Sequence, residues 1–176
     1  MTRTISTWLT VFLLTLAAVP WGRAVDIQPP FKALRWGETA ERMEALIKGS
    51  KAVILQRRTV EGREVWDVDG LKSQGQKKTV FYFLQGQLVE VELQFQKDDW
   101  DETKYNTYMG EWRQKLEQFY GQGQLISRKT EPAGDVTQTI VGWKWSQNNT
   151  AAELIYFSAQ GAVHVFRTLS VHFKTY

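Results

Sequence analysis

The stretch Leu88-Val-Glu-Val-Glu-Leu-Gln-Phe-Gln96 alternates apolar and polar residues from Val89 onward. Successive side chains of a β-strand point to opposite faces of a sheet, so this alternation predicts a strand with one buried face and one wet face. The buried face carries Val89, Val91, Leu93 and Phe95, and the wet face carries Glu90, Glu92, Gln94 and Gln96. A Gln85-Gly86 turn and a strand over Val80 to Leu84 precede it, which predicts an antiparallel hairpin.

The residues before this hairpin predict a helix and two more strands. Pro29-Pro30 bars a helix from the leading segment 25–36. Apolar residues then recur at helical spacing from Thr39 to Lys48, and Gly49 is a natural stop. Strands over Lys51 to Arg58 and Glu64 to Val68 follow, joined by a turn at Glu61-Gly62.

The residues after the hairpin predict the same succession again. Acidic residues at 98–102 suit the start of a second helix, because they complement the helix dipole, and Gly121 ends it. Its apolar stripe runs from Tyr105 through Trp112 to Tyr120. Four strands are predicted after it, the last with a break near Arg167-Thr168: Gln124 to Lys129, Thr137 to Ser146, Ala152 to Ser158 and Val163 to Phe173.

The two halves match each other along the chain. Gly49 matches Gly121, Tyr82-Phe83 matches Tyr156-Phe157, and Gln85-Gly86 matches Gln160-Gly161, at offsets of 72, 74 and 75 residues. Repetition at such a period indicates two copies of one unit. The predicted fold class is α+β, with tandem helix-plus-antiparallel-meander units over 25–97 and 98–176, or one continuous domain, and helices packed on one face of the sheet or sheets.

This arrangement predicts which side chains are buried and which are exposed. Strand parity turns Phe81, Phe83, Ile155 and Phe157 towards the helices and turns Tyr82 and Tyr156 outward. The predicted core contains Met43, Leu46, Val89, Val91, Leu93, Phe95, Trp112, Leu116, Phe119, Ile155, Phe157, Val171 and Phe173.

Residues 1–24 have the pattern of a cleavable signal peptide. Arg3 precedes an apolar run from Trp8 to Val19, and Gly22-Arg23-Ala24 places small residues at the cleavage site. Removing residues 1–24 lowers the net charge from +3 to +1, which disfavours nucleic acid as a partner. The remaining chain has no stretch long enough to span a bilayer, so the expected location is periplasmic or extracellular.

The absence of cysteine restricts the chemistry of an exported chain. Such a domain relies on its hydrophobic core instead of disulfides. A cysteine nucleophile, a thiolate metal site and a lipoprotein anchor are also excluded.

The segment Phe31-Lys-Ala-Leu-Arg-Trp-Gly37, which leads into a helix and a meander, resembles the opening of two kinds of small exported α+β domain. These are the outer-membrane-assembly lipoprotein family (SmpA/OmlA-type) and the β-lactamase-inhibitor-protein-like fold, a tandem of two such units. The resemblance covers most of the chain after residue 24 in topology, but in motif only Trp36-Gly37 and the helix start. It implies a binding role without catalysis. The lipidated cysteine of one and the disulfides of the other are absent, and no functional residue carries over.

No catalytic, metal or cofactor site is predicted. His164 and His172 are the only histidines, and their spacing and neighbours do not suit zinc. Asp67-Val68-Asp69-Gly70 departs from a calcium loop because glycine follows the second aspartate directly. Hydrolase, zincin and phosphate-loop motifs do not occur.

The leading hypothesis is an exported, non-enzymatic binding protein that presents an open sheet face to a protein, either an envelope protein or an enzyme that it inhibits. The predicted binding residues are Tyr82, Tyr156, Glu90, Glu92, Lys144, His164 and His172. The alternatives are a carrier of small apolar ligands, with a pocket between helices and sheet, and an enzyme of unrecognised chemistry.

The first prediction concerns processing. We expect cleavage after Ala24, because the small residues before that bond fit the signal peptidase site. Intact-mass spectrometry of the protein from its native host checks it. A native protein that retains residues 1–24 contradicts it.

Overall fold

A computed structural model describes residues 26–71 and 75–176, so the predicted signal peptide lies outside the described residues. Two helices and eight strands make up this part of the chain. In chain order they are α1 (Ala40–Lys48), β1 (Val53–Val60), β2 (Arg63–Asp69), β3 (Gln76–Leu84), β4 (Gln87–Phe95), α2 (Glu102–Tyr120), β5 (Gln124–Ala133), β6 (Val136–Gln147), β7 (Thr150–Gln160) and β8 (Val165–Thr175).

All eight strands form one antiparallel sheet in the order β1-β2-β3-β4-β8-β7-β6-β5. The meanders β1–β4 and β5–β8 are therefore joined by the pairing of their last strands, from Glu90↔Lys174 to Phe95↔Leu169. The fold mixes helix and sheet, as predicted, and is mostly sheet. Both predicted helices and all eight predicted strands are confirmed, apart from their exact ends.

Local sequence explains where these elements begin and turn. The Thr39 hydroxyl accepts from the Arg42 amide at the start of α1, and the Asp101 carboxylate accepts from the Lys104 amide at the start of α2. The tight turns at Glu61-Gly62 and Gln85-Gly86 have positive φ at both residues, which the two-residue hairpin turn of the primed type requires.

Successive side chains of each strand point to opposite faces of the sheet, and we call these the core face and the second face. One row of the core face crosses six strands and is buried throughout: Trp66, Phe81, Val91, Phe173, Ala152 and Trp145. Met43 and Ile47 of α1 and Leu116 of α2 belong to the same buried cluster. The ring of Phe95 lies 5.2 Å from that of Tyr108, between ring centroids.

Several predictions about burial are wrong. Phe119 is 80% exposed because it lies at the end of α2, off the buried stripe. Ile155 and Phe157 are half-buried on the second face, whereas Tyr156 points into the core and is only 2% exposed. Val89, Leu46 and Trp112 are half-buried, and the last two pack against the core.

The alternation of β4 correctly predicted that Val91, Leu93 and Phe95 are buried. It also predicted that the opposite face of β4 is exposed to solvent, and this is wrong. Glu90 and Glu92 are only 7% and 6% exposed, because side chains of neighbouring strands cover them. The predicted break near Arg167-Thr168 is also wrong, since β8 keeps a continuous register with β7.

The error at Tyr156 comes from a slip of one residue in matching the halves. The offset of 74 residues pairs Tyr82 with Tyr156, but these residues lie on opposite faces. Side chains alternate along a strand, so a slip of one position exchanges the two faces. If the sequence offset between the two halves is one residue shorter, Phe83 matches Tyr156, and both of these side chains are buried.

The second prediction tests the core against the exposed end of α2. Phe95→Ala should lower the free energy of unfolding by about 3–5 kcal/mol, because it leaves a cavity beside Tyr108 and Trp112. Phe119→Ala should change it by less than about 0.5 kcal/mol. Urea unfolding of both variants provides the measurement, and equal losses would contradict the assignment of faces.

Candidate functional site

The second face of the sheet carries a network of buried and half-buried charges, which we call the charged face. Its carboxylates are those of Asp67, Glu90, Glu92 and Glu153, and its cations are Arg58, Arg63, Lys78, Lys144 and Lys174. The imidazole of His172 lies among them. Cross-strand register brings them together, because Glu92 pairs with His172, which in turn pairs with Glu153, and Glu153 pairs with Lys144.

Glu90 lies at the centre of this network. Its Oε1 is 2.8 Å from His172 Nδ1, and its Oε2 accepts from Arg63 Nη1 at 2.9 Å. Lys174 Nζ lies 3.9 Å from the same carboxylate. Burial by itself raises the pKa of Glu90, but the hydrogen bond to His172 and the charges of Lys174 and Arg63 outweigh it and lower the pKa.

Glu92 connects the centre to β3. Its Oε2 accepts from the Tyr82 hydroxyl at 2.6 Å, and its Oε1 accepts from Gln94 Nε2 at 2.7 Å. Burial, with the negative charges of Glu92 and Glu90, raises the pKa of Tyr82 above its usual range. The phenol therefore stays protonated and acts as a hydrogen-bond donor to the carboxylate.

Two smaller groups flank the centre. Asp67 accepts hydrogen bonds from Arg58 at 2.6 Å and from Lys78 at 2.5 Å. Burial by itself raises the pKa of Asp67, but the hydrogen bonds and charges of Lys78 and Arg58 outweigh it, so the pKa is lowered. On the other side, Glu153 accepts from Lys174 at 2.8 Å and lies 3.6 Å from Lys144. Each carboxylate of the charged face thus has a cationic or donor partner.

Ser170, His172 and Glu90 are hydrogen-bonded in the order of a serine-hydrolase triad, with Ser170 Oγ 2.9 Å from His172 Nε2. Stabilising an oxyanion would require free donors beside the hydroxyl. Strand β8, however, pairs with β4 at Gln94↔Ser170 and with β7 at Ile155↔Ser170, which commits backbone groups to the sheet. We interpret this chain of hydrogen bonds as the device that orients His172 within the charged face.

The structure brings most of the predicted binding residues together. Tyr82, Glu90, Glu92, Lys144 and His172 all lie on the charged face. Two of them lie elsewhere. Tyr156 is in the core, where its ring contacts Tyr105, and His164 is exposed in the β7–β8 loop.

Sequence reasoning missed an apolar area on the same face, which we call the apolar patch. It consists of Ile126, Ile140, Ile155, Phe157 and Phe166. Ile126 and Phe166 are each 46% exposed. The sequence feature that could have indicated this patch is Gly142 within a strand. A Cβ atom built at Gly142 would lie 3.1 Å from Ile126 Cγ1, so the absence of a side chain there lets Ile126 lie across β6.

Comparisons with known proteins give no match to any family model, curated protein or solved structure. Within residues 26–71 and 75–176, no helix is both long and apolar enough to cross a membrane. In that part of the chain, no group of three or more histidine and carboxylate side chains is arranged so that it could hold a metal ion.

The third prediction concerns acid stability. A carboxylate with a lowered folded pKa stabilises the protein above its unfolded pKa of 4.5, and this contribution is lost as the pH falls through the folded value. Glu90→Gln should cost about 1–3 kcal/mol at pH 7, because Arg63, His172 and Lys174 lose their charged partner. Its unfolding free energy should also decline less than the wild-type value below pH 4.5. Urea unfolding between pH 7 and pH 2.5 measures both effects, and parallel profiles would contradict the assignment.

Proposed function

We propose that the chain is an exported, non-enzymatic binding protein whose charged face and apolar patch together receive a protein partner. In this proposal the helix-plus-meander units over 25–97 and 98–176 are tandem copies, with both helices packed on the core face. The element order α1, β1–β4, α2, β5–β8 supports the tandem arrangement. The signal-peptide pattern of residues 1–24 supports periplasmic or extracellular delivery.

The apolar patch is the observation that carries the proposal. Ile126 and Phe166 are large apolar side chains, each 46% exposed, on a sheet surface that also holds half-buried Phe157. Contiguous exposed apolar residues rimmed by polar ones are typical of protein interaction sites. Protein interfaces have this anatomy, with an apolar centre and a polar rim.

The charged face supplies the rim beside the patch. Its charges of both signs are already paired with one another, as in the contacts of Glu90 with Arg63 and of Glu153 with Lys174. Such a surface has no large excess of positive charge, which favours a protein over a nucleic acid. Pairing also holds the long side chains in fixed positions before a partner arrives, which reduces the entropy lost on binding.

The fourth prediction tests the patch. The double variant Ile126→Ser/Phe166→Ser should weaken capture of a native envelope partner at least about 10-fold, since truncation of an interface hot spot costs about 2 kcal/mol or more. A photoactivatable residue at the exposed position 163, three residues before Phe166 in the chain, would crosslink the partner so that it can be identified and its affinity measured by titration.

Leu55→Ser provides the matched control, because Leu55 is an equally large side chain, 61% exposed, on the edge strand β1 at the other end of the sheet. The control should retain wild-type affinity, and both variants should unfold close to the wild-type urea midpoint. Equal affinity of the double variant and the wild-type protein for the same partner would remove the patch from the binding site.

A further inference from the structure

Three neighbouring cavities lie on the core face between α1 and α2, away from the charged face. Their volumes are about 390, 400 and 290 Å³. Pro30 borders all three, Phe31 and Leu71 border the first two, and Trp112 borders the second and third. The three cavities adjoin one another at these shared residues, and together we call them the inter-helix groove, which extends from α1 to the end of α2.

The lining of the inter-helix groove is mostly apolar. Under α1 it is formed by Leu34, Met43, Leu46 and Ile47, with Phe81 of the sheet. At the other end it is formed by Leu116, Phe119 and Phe173. The individual cavities are of the size at which proteins hold small molecules. Phe119, which is exposed at the end of α2, borders the cavity at that end of the groove.

One polar atom of a residue that borders this groove has no partner among the described residues. Trp112 Nε1 is buried and makes no hydrogen bond, whereas the indole nitrogens of Trp36, Trp66 and Trp145 each donate to an acceptor 2.6–2.9 Å away. Leaving a buried donor unpaired costs free energy, and such a group requires an explanation. Because this nitrogen has almost no accessible surface, an acceptor atom of a bound ligand would satisfy it once the indole ring turns towards the cavities that Trp112 borders.

The charges at the groove specify the ligand further. Lys32 borders the cavity under α1, and Lys115 borders the cavity at the end of α2, beside Trp112. Lys115 Nζ lies 5.2 Å from the centroid of the Trp112 ring. None of the described residues that line the three cavities is acidic. The groove therefore favours an anionic acceptor group attached to an apolar body.

We propose that the inter-helix groove binds a single-chain anionic amphiphile of the fatty-acid class. Its carboxylate accepts from Trp112 Nε1 and lies near Lys115, and its hydrocarbon chain passes Pro30 and Phe31 into the cavity under α1. This site is separate from the apolar patch, so the proposal of an anionic ligand can be tested independently of the proposed protein partner.

Calorimetric titration of the purified chain with dodecanoate, below the concentration at which it forms micelles, tests the proposal. We expect saturable binding with a Kd of about 100 µM or tighter. Dodecanol, which has the same chain without the charge, should bind more weakly. Trp112→Phe keeps an aromatic ring but removes the N–H, and should weaken dodecanoate at least about 10-fold.

Trp143→Phe is the matched control, because Trp143 is a half-buried tryptophan stacked on Arg113, and it does not border these cavities. It should bind dodecanoate like the wild-type protein, as should the Ile126→Ser/Phe166→Ser variant. If Trp112→Phe fails to fold, NMR titration of the wild-type chain decides: the assigned Trp112 indole N–H resonance should shift with saturation. Absence of saturable binding at 1 mM, an unshifted indole resonance, or equal affinity of the two tryptophan variants would overturn the proposal.

Discussion

The antiparallel pairing of β4 with β8 is the interaction on which the rest of the structure depends. It joins the two meanders into one sheet, with Val91 opposite Phe173 on the core face and Glu92 opposite His172 on the charged face. Without this pairing β4 and β8 would each be an edge strand with unpaired backbone groups. The same register brings His172 and Lys174 to Glu90, so the centre of the charged face exists only because the two halves meet.

The succession of helices and strands follows from local signals that the sequence displays. Period-two alternation in β4, helical spacing in α1 and α2, caps at Thr39 and Asp101, and turns at Glu61 and Gln85 are set by nearest neighbours along the chain. Strand order is a different matter, because it depends on which strand meets β4. Nothing local to residues 88–96 specifies β8 as that partner, and the predicted repeat was compatible with one sheet or two.

The candidate site was only partly predictable for a related reason. Alternation along the strands correctly predicted that Glu90, Glu92 and Tyr82 lie on the face opposite the core. A carboxylate on such a face is normally exposed to solvent, so their burial was not predicted. Their burial follows from Arg63, Lys174 and His172, which come from strands distant in sequence. The apolar patch was missed because matching Tyr82 with Tyr156 exchanged the faces of β7, and so assigned Ile155 and Phe157 to the core. The unpartnered Trp112 N–H has no sequence signature, since only the folded neighbourhood shows that it lacks an acceptor.

Strand β8 contributes side chains to both of the proposed binding sites. Phe173 borders the inter-helix groove, whereas His172 and Phe166 belong to the charged face and the apolar patch. Alternation along one strand therefore separates the proposed small-molecule site from the proposed protein-binding surface by the thickness of a single sheet. A ligand in the groove and a partner on the patch would not compete for the same atoms. One route for any influence of one on the other is the backbone of β8, which is paired on both sides and therefore resists displacement.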